Sequence, residues 1–280
     1  MVQFNFSYIT QSMNTFSFTE KFVKSENFSS KEELLNMDTS KYTKRTINRH
    51  SIISENLREE KTVSVYLPPG YNELISYPIV YAQDGQDIFM FGRIATLANY
   101  LILEKNMEPI IIVGIDVDKK RRTSEYASEG ENNKAYKKFI TEELIPYIEE
   151  RYQLRKETNV SRLLIGDSLG GTVSLELALE NPSLFNNVLS LSGAFFQPTL
   201  NKIKIMDRLD WLTVWMIVGL QEDEVKTDRG VFNFVEWNRN AKQLLTEKGA
   251  KISYHEKEGE HIWGFWQKEL PEALLYFFSS

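Results

Sequence analysis

Arg162-Leu163-Leu164-Ile165-Gly166-Asp167-Ser168-Leu169-Gly170-Gly171 carries an apolar strand pattern directly into Gly-x-Ser-x-Gly, and a helix-forming segment, Thr172 to Asn181, follows without a spacer. This is the pattern of a nucleophile elbow. A serine hydroxyl is a weak nucleophile at neutral pH, so it must be lifted clear of the sheet, next to a base and at the positive end of a helix. Glycine at positions 166 and 170 permits a turn so tight that side chains there would strike the strand before it and the helix after it. Gly-x-Ser-x-Gly alone is a modest signal; the flanking strand and helix make it specific.

Around the elbow the chain alternates strand and helix. Strand patterns at Pro78–Ala82, Pro109–Gly114, Leu163–Gly166, Val188–Leu191, Val214–Val218 and Lys251–His255 are interleaved with helix patterns at Ile94–Glu104, Asn132–Tyr152, Gly171–Glu180 and Phe232–Lys248, with a last helix from Trp263. Strands this apolar are buried on both faces, which predicts an α/β fold with a mostly parallel central sheet flanked by helices. Alternation over Ile47–Ile53 and at Val63, Val65 and Leu67 predicts an antiparallel N-terminal edge. Within Asn132–Tyr152, Tyr136, Ile140, Leu144, Ile148 and Tyr152 recur every four residues as a core-facing stripe; Pro146 there and Pro271 in the last helix each predict a kink or break. Residues 1–45 are polar and weakly patterned, with a short helix expected at Ser30–Leu35. With Phe4, Phe6, Phe16, Phe18 and Phe22, they read as an extension packed on a main domain of residues 46–280.

Bulk composition narrows the chemistry. The net charge of −6 and the lack of a Lys/Arg block argue against nucleic acid or an anionic membrane as partner, and the absence of cysteine removes thiol nucleophiles and disulfides. Met1 to Phe6 carries neither a basic region nor an apolar core of a signal peptide, so a cytoplasmic protein is expected.

The three histidines make the search for a general base short. Where an elbow serine is used, the chain order is nucleophile, acid, histidine, which argues against His50, ahead of the elbow. His255 lies inside a strand. His261 follows the loop Lys257-Glu258-Gly259-Glu260 and is the expected base. His255, Glu256, Glu258, Glu260 and His261 crowd together, but their spacing is wrong for a helical zinc motif, and no metal or cofactor is expected. The acid should follow the strand ending at Gly219, where Glu222, Asp223 and Glu224 stand in a row. Glu222 is favoured, three residues beyond the glycine, with Asp223 second. The oxyanion hole needs two backbone donors. Leu169 N–H is one, and Gln86 N–H, after Asp84-Gly85, is the candidate for the other; an ordinary Asp-Gly turn is the alternative.

These residues resemble the putative-esterase branch of the α/β-hydrolase superfamily, which includes esterase D-like and enterochelin (siderophore trilactone) esterases. The likeness runs from Ile47 to the C-terminus and rests on Val65-Tyr66-Leu67-Pro68-Pro69-Gly70-Tyr71, Asp84-Gly85-Gln86, Leu144-Ile145-Pro146-Tyr147-Ile148, the elbow, and Gly259-Glu260-His261. It implies cofactor-independent hydrolysis of a small-molecule ester, with Ser168 and His261 in the family's serine and histidine positions and the acid within the 222–224 loop. Siderophore lactones, feruloyl or acetyl sugar esters and small acyl esters all fall within its range. For a catecholate trilactone, Arg121-Arg122 offer cations to anionic groups; two solvated loop arginines are the alternative. A binding protein on the same fold is the competing class, and it would usually have lost one of the three roles.

Overall fold

In the computed structural model the described residues are 40–156, 160–227 and 229–279. The chain divides into units 1–43 and 44–280, and the second is described here. The expected helix at Ser30–Leu35 and nearly all of the 1–45 extension lie outside the described residues.

Eight strands form one sheet in the order β1-β2-β4-β3-β5-β6-β7-β10. The strands are β1 (Thr46–Ser54), β2 (Glu59–Leu67), β3 (Ile79–Ala82), β4 (Ile111–Ile115), β5 (Arg162–Asp167), β6 (Asn187–Leu191), β7 (Thr213–Gly219), and β10 (Lys251–Lys257). A separate hairpin pairs β8 (Val225–Thr227) with β9 (Gly230–Phe232). From β4 to β10 every neighbouring pair in the large sheet is parallel; β1 and β2 are antiparallel to each other, and β2 to β4. The sequence explains the division. β3, β4 and β6 are buried at every residue, as strands covered on both faces must be, whereas β1 is exposed over most of its length. The fold is the mostly parallel α/β arrangement that the series of apolar strands and helices predicts.

Nine helices of the second unit are α1 (Gly85–Met90), α2 (Ile94–Glu104), α3 (Arg122–Tyr126), α4 (Asn133–Lys138), α5 (Ile145–Arg151), α6 (Leu169–Glu180), α7 (Gln197–Ile205), α8 (Phe234–Glu247) and α9 (Trp263–Phe278) among the described residues. α4 and α5 replace the single helix expected over Asn132–Tyr152, with a π-helical stretch, Phe139–Leu144, between them. Pro146 sits at the start of α5, where its missing N–H would have broken a regular α ladder, and the wider turns fall just ahead of it. The stripe survives the change: Tyr136, Ile140, Leu144, Ile148 and Tyr152 all join the core. Pro271, by contrast, does not divide α9, which runs through it to Phe278. Among the described residues no helix is long and apolar enough to cross a membrane.

The parallel strands all point the same way, so the loops leaving β3, β5, β7 and β10 open on one edge of the sheet. That edge, at the strands' carboxyl ends, is where α/β sheets bind ligands. It carries Gln86, Ser168, Glu222 and His261.

Candidate active site

β5 delivers Ser168 at the end of a fully buried run, and α6 starts at the next residue. The turn is tight enough that a Cβ on Gly166 would collide with the backbone of Gly170, which is why the strand side of the elbow must be glycine. Ser168 itself adopts φ 52°, ψ −121°, a conformation that a non-glycine residue occupies at a cost of about 1–3 kcal/mol unless its surroundings hold it. Here they do. Ser168 N–H donates to Leu191 O at 2.9 Å, and Ser168 O accepts from Ala194 N–H at 3.0 Å, so the serine backbone is pinned to the end of β6 and the loop after it. The hydroxyl side is half-buried, on the edge that the loops enclose.

The histidine and its carboxylate meet directly. His261 Nδ1 lies 2.6 Å from Glu222 Oε2, with Glu222 fully buried. Asp223 and Glu224, the other carboxylates of the loop, are exposed. Glu222 Oε1 accepts from Gly219 N–H at 2.8 Å and from Ser192 Oγ at 2.6 Å, and the Trp266 indole N–H in turn donates to Ser192 Oγ at 2.8 Å. A buried carboxylate is tolerated only when its lone pairs are engaged in this way. The two loops are also joined through their backbones: Leu220 N–H donates to Lys257 O and Gln221 N–H to Gly259 O. With Nδ1–H donating to Glu222, Nε2 is left with its lone pair and can accept a proton. Among the described residues no hydrogen bond joins Ser168 Oγ to His261; such contacts are often long before substrate binds and tighten in the complex.

The walls beside His261 are aromatic. The Phe234 ring centroid is 4.1 Å from that of the imidazole, and Trp266 meets it edge-on at 4.9 Å. Behind Phe234, Trp237 packs against Phe196 and Phe232. These rings shed water from the imidazole and strengthen its hydrogen bond to the carboxylate.

The remaining histidines are engaged elsewhere. His50 Nε2 and Nδ1 face the hydroxyls of Tyr152 and Tyr147 at 2.8 and 3.2 Å, and burial, followed by the charge of Arg151, lowers its pKa. His255 stacks on Trp215 and meets Ser253 Oγ at 2.8 Å. Among the described residues no group of three or more metal-ligating side chains is assembled.

Gly85 opens α1 after β3, and Gln86 is its second residue. A Cβ on Gly85 would run into the backbone of Gly114 and Ile115, so glycine lets this loop lie against β4. The Gln86 side chain exchanges both its hydrogen bonds with Val117, donating from Nε2 at 2.9 Å and accepting at Oε1 at 3.1 Å. Leu169 and Gln86 each stand in the first turn of a helix, where backbone N–H groups have no intrahelical acceptor.

Arg122 differs from the expected substrate contact. Its Nε and Nη2 grip Asp84 Oδ1 and Oδ2 at 2.7 and 2.8 Å, Nη2 also donates to Asp167 O at 3.1 Å, and its face lies over Tyr126. Three internal acceptors thus hold the guanidinium to the fold through Nε and Nη2. Arg121 pairs with Glu59 and Glu125. Neither this fork nor the Trp266–Ser192–Glu222 chain was apparent in the sequence, because the partners stand tens of residues apart.

Comparison with known proteins bears on the family and the fold. A family model described as Putative esterase matches residues 54–277. The chain is 36% identical over 231 residues to the YjcH protein of Bacillus subtilis (strain 168), a match covering 82% of this chain and 96% of that one. Among solved structures, a ferulic acid esterase superposes with a TM-score of 0.72 at 16% identity, covering 84% of this chain and 98% of its own. The enterobactin esterase of Shigella flexneri superposes with a TM-score of 0.71 at 20% identity, covering 83% of this chain and 58% of its own. The chain therefore belongs to the Putative esterase family and is a carboxylic ester hydrolase with the α/β-hydrolase fold.

Proposed function

We propose that the protein hydrolyses small acyl esters by a serine mechanism, with Ser168 as nucleophile, His261 as general base and acid, and Glu222 as the carboxylate that orients His261. The observation that carries this reading is the 2.6 Å pairing of a buried Glu222 with His261 on the sheet edge that also bears Ser168. In the reaction, His261 Nε2 takes the Ser168 proton as Oγ bonds to the ester carbonyl carbon. The resulting oxyanion is received by Leu169 N–H and Gln86 N–H, and the imidazolium is stabilised by Glu222. Collapse expels the alcohol, which takes its proton from His261. Water, deprotonated by the same imidazole, then releases the acid.

Small acyl esters are favoured over a siderophore trilactone because the cation that would have met anionic catecholates, Arg122, is committed to Asp84 and Asp167. The enterobactin esterase likeness supports the shared fold, and the ferulic acid esterase likeness does the same. The test compares turnover of p-nitrophenyl acetate and butyrate, methyl ferulate and a catecholate trilactone by the purified chain. Preference for the short acyl esters supports the reading. A kcat/KM at least tenfold higher on the trilactone would replace it with the siderophore reading, and no turnover of any ester would favour a binding protein.

A further inference from the structure

Two loops must converge for the oxyanion donors to act together: the one after β3, which carries Gln86, and the one after β5, which carries Leu169. The residue two places before each donor is an aspartate, Asp84 and Asp167, and both are buried. Arg122, on α3, lies between them. Its fork is bidentate on Asp84, at 2.7 and 2.8 Å, and its Nη2 reaches the Asp167 carbonyl at 3.1 Å and the Asp167 Oδ2 at 3.5 Å. Asp84 is held from the other side as well, its N–H donating to Tyr126 Oη at 3.2 Å. A Cβ on Gly170 would come within 3.1 Å of Asp84 Oδ2, so the same carboxylate limits what side chain the first turn of α6 can carry there.

Both bridged loops are under backbone strain where the fork holds them. Asp84 has φ 51° and ψ 51°, and Ser168, adjacent to Asp167, has φ 52°. A positive φ is strained for a non-glycine residue, so each needs an external constraint to persist. A planar guanidinium holds two acceptor sites at set angles through a rigid fork, whereas an ammonium is a point charge on a flexible stem and does not fix those angles. Asp167 Oδ1 has no hydrogen-bond partner among the described residues, which makes the guanidinium the principal polar contact of that carboxylate.

We propose that Arg122 is a positioning residue that sets the spacing of the two oxyanion donors, Gln86 N–H and Leu169 N–H, by bridging Asp84 to Asp167. The inference rests on the serine-esterase reading above. Its consequence is kinetic: donors displaced from a shared oxyanion lose the transition state and not the substrate. Removing one such donor typically lowers kcat by about 10²- to 10³-fold, and a misplacement of about 1 Å costs about 10²-fold.

The test uses Arg122→Gln and Arg122→Lys in the full chain. Ser168 sites are counted by exhaustive labelling with a p-nitrophenyl phosphonate, so that kcat is expressed per competent site and loss of folded protein does not enter. The expected result is a kcat per site lowered about 10²-fold in Arg122→Gln, with KM for p-nitrophenyl butyrate within about threefold of the parent. Affinity for phenylboronic acid, whose tetrahedral adduct needs both donors, should weaken in parallel with kcat. Arg122→Lys, which keeps the buried charge but not the fork, should recover no more than about a tenth of the parent kcat. A kcat per site within about threefold of the parent in either variant, whatever its melting temperature, overturns the proposal and leaves Arg122 a stabilising contact. Failure of the underlying reading looks different: parent protein whose turnover survives Ser168→Ala.

Discussion

Glu222 Oε2 lies 2.6 Å from His261 Nδ1, while the side chains of Asp223 and Glu224 are turned to solvent. One hydrogen bond thus separates three neighbouring carboxylates into one partner and two solvated charges. Glu222→Gln keeps the size of the side chain but no longer favours the imidazolium, and turnover is expected to fall about 10²- to 10⁴-fold. Asp223→Asn and Glu224→Gln should stay within about twofold, since exposed loop charges contribute little. Steady-state kinetics of the three variants on p-nitrophenyl butyrate decide it; a large loss in Asp223→Asn with none in Glu222→Gln would assign the acid to the wrong residue.

The carboxylate depends in turn on Ser192, which adopts φ 49° and donates to Glu222 Oε1 while accepting from Trp266 Nε1–H. Ser192→Ala leaves Gly219 N–H still bonded to Oε1 but strands a buried indole donor, at a cost of about 1–3 kcal/mol in stability. Turnover should drop about tenfold, the equivalent of one hydrogen bond. Trp266→Phe keeps the Ser192–Glu222 bond and should stay within about threefold in kcat. Equal losses in the two variants would show that packing, and not the hydrogen bond to Glu222, is what Ser192 supplies.

Asp167 gives the protein a pH-dependent stability. Burial, reinforced by the charge of Asp84 and offset by Arg122, pushes its carboxyl from 3.8 up to about 7. Between those values the folded chain holds a proton that the unfolded chain has released. Stability linked to this group is therefore highest at low pH and declines as pH rises from about 4 to about 7. In Asp167→Asn that decline is absent, so the variant should gain on the parent across the window. Chemical denaturation of both proteins at pH 4.5, 5.5, 6.5 and 7.5 measures the difference; a constant gap would contradict the linkage.

The elbow was legible in sequence because strand, Gly-x-Ser-x-Gly and helix are contiguous, and so was the sheet, because β3, β4 and β6 are apolar enough to be buried throughout. The expectation of His261 as base rested on there being three histidines and one chain order. What stayed hidden depends on contacts across the fold. β8 and β9 are three residues each, too short for alternation to register, and α1 and α3 are similarly brief. Pro271 shows the limit of a local rule: a break is expected from the missing donor, yet Leu270, Ala273 and Leu274 are buried around it and tertiary packing carries the helix through. Arg122 is the sharpest case. Charge and position made it a candidate for substrate, and only the placement of Asp84 and Asp167 on either side of it reveals the internal fork.

The account stands on Ser168 as the attacking atom, and the most direct measurement is the turnover of p-nitrophenyl butyrate by purified Ser168→Ala. The substitution removes one half-buried hydroxyl and creates no large cavity, so the variant should melt close to the parent. Turnover should fall by about 10⁴-fold or more. A folded Ser168→Ala that keeps more than about 5% of parental kcat/KM would contradict the account, and would require the nucleophile to be sought elsewhere on the same sheet edge.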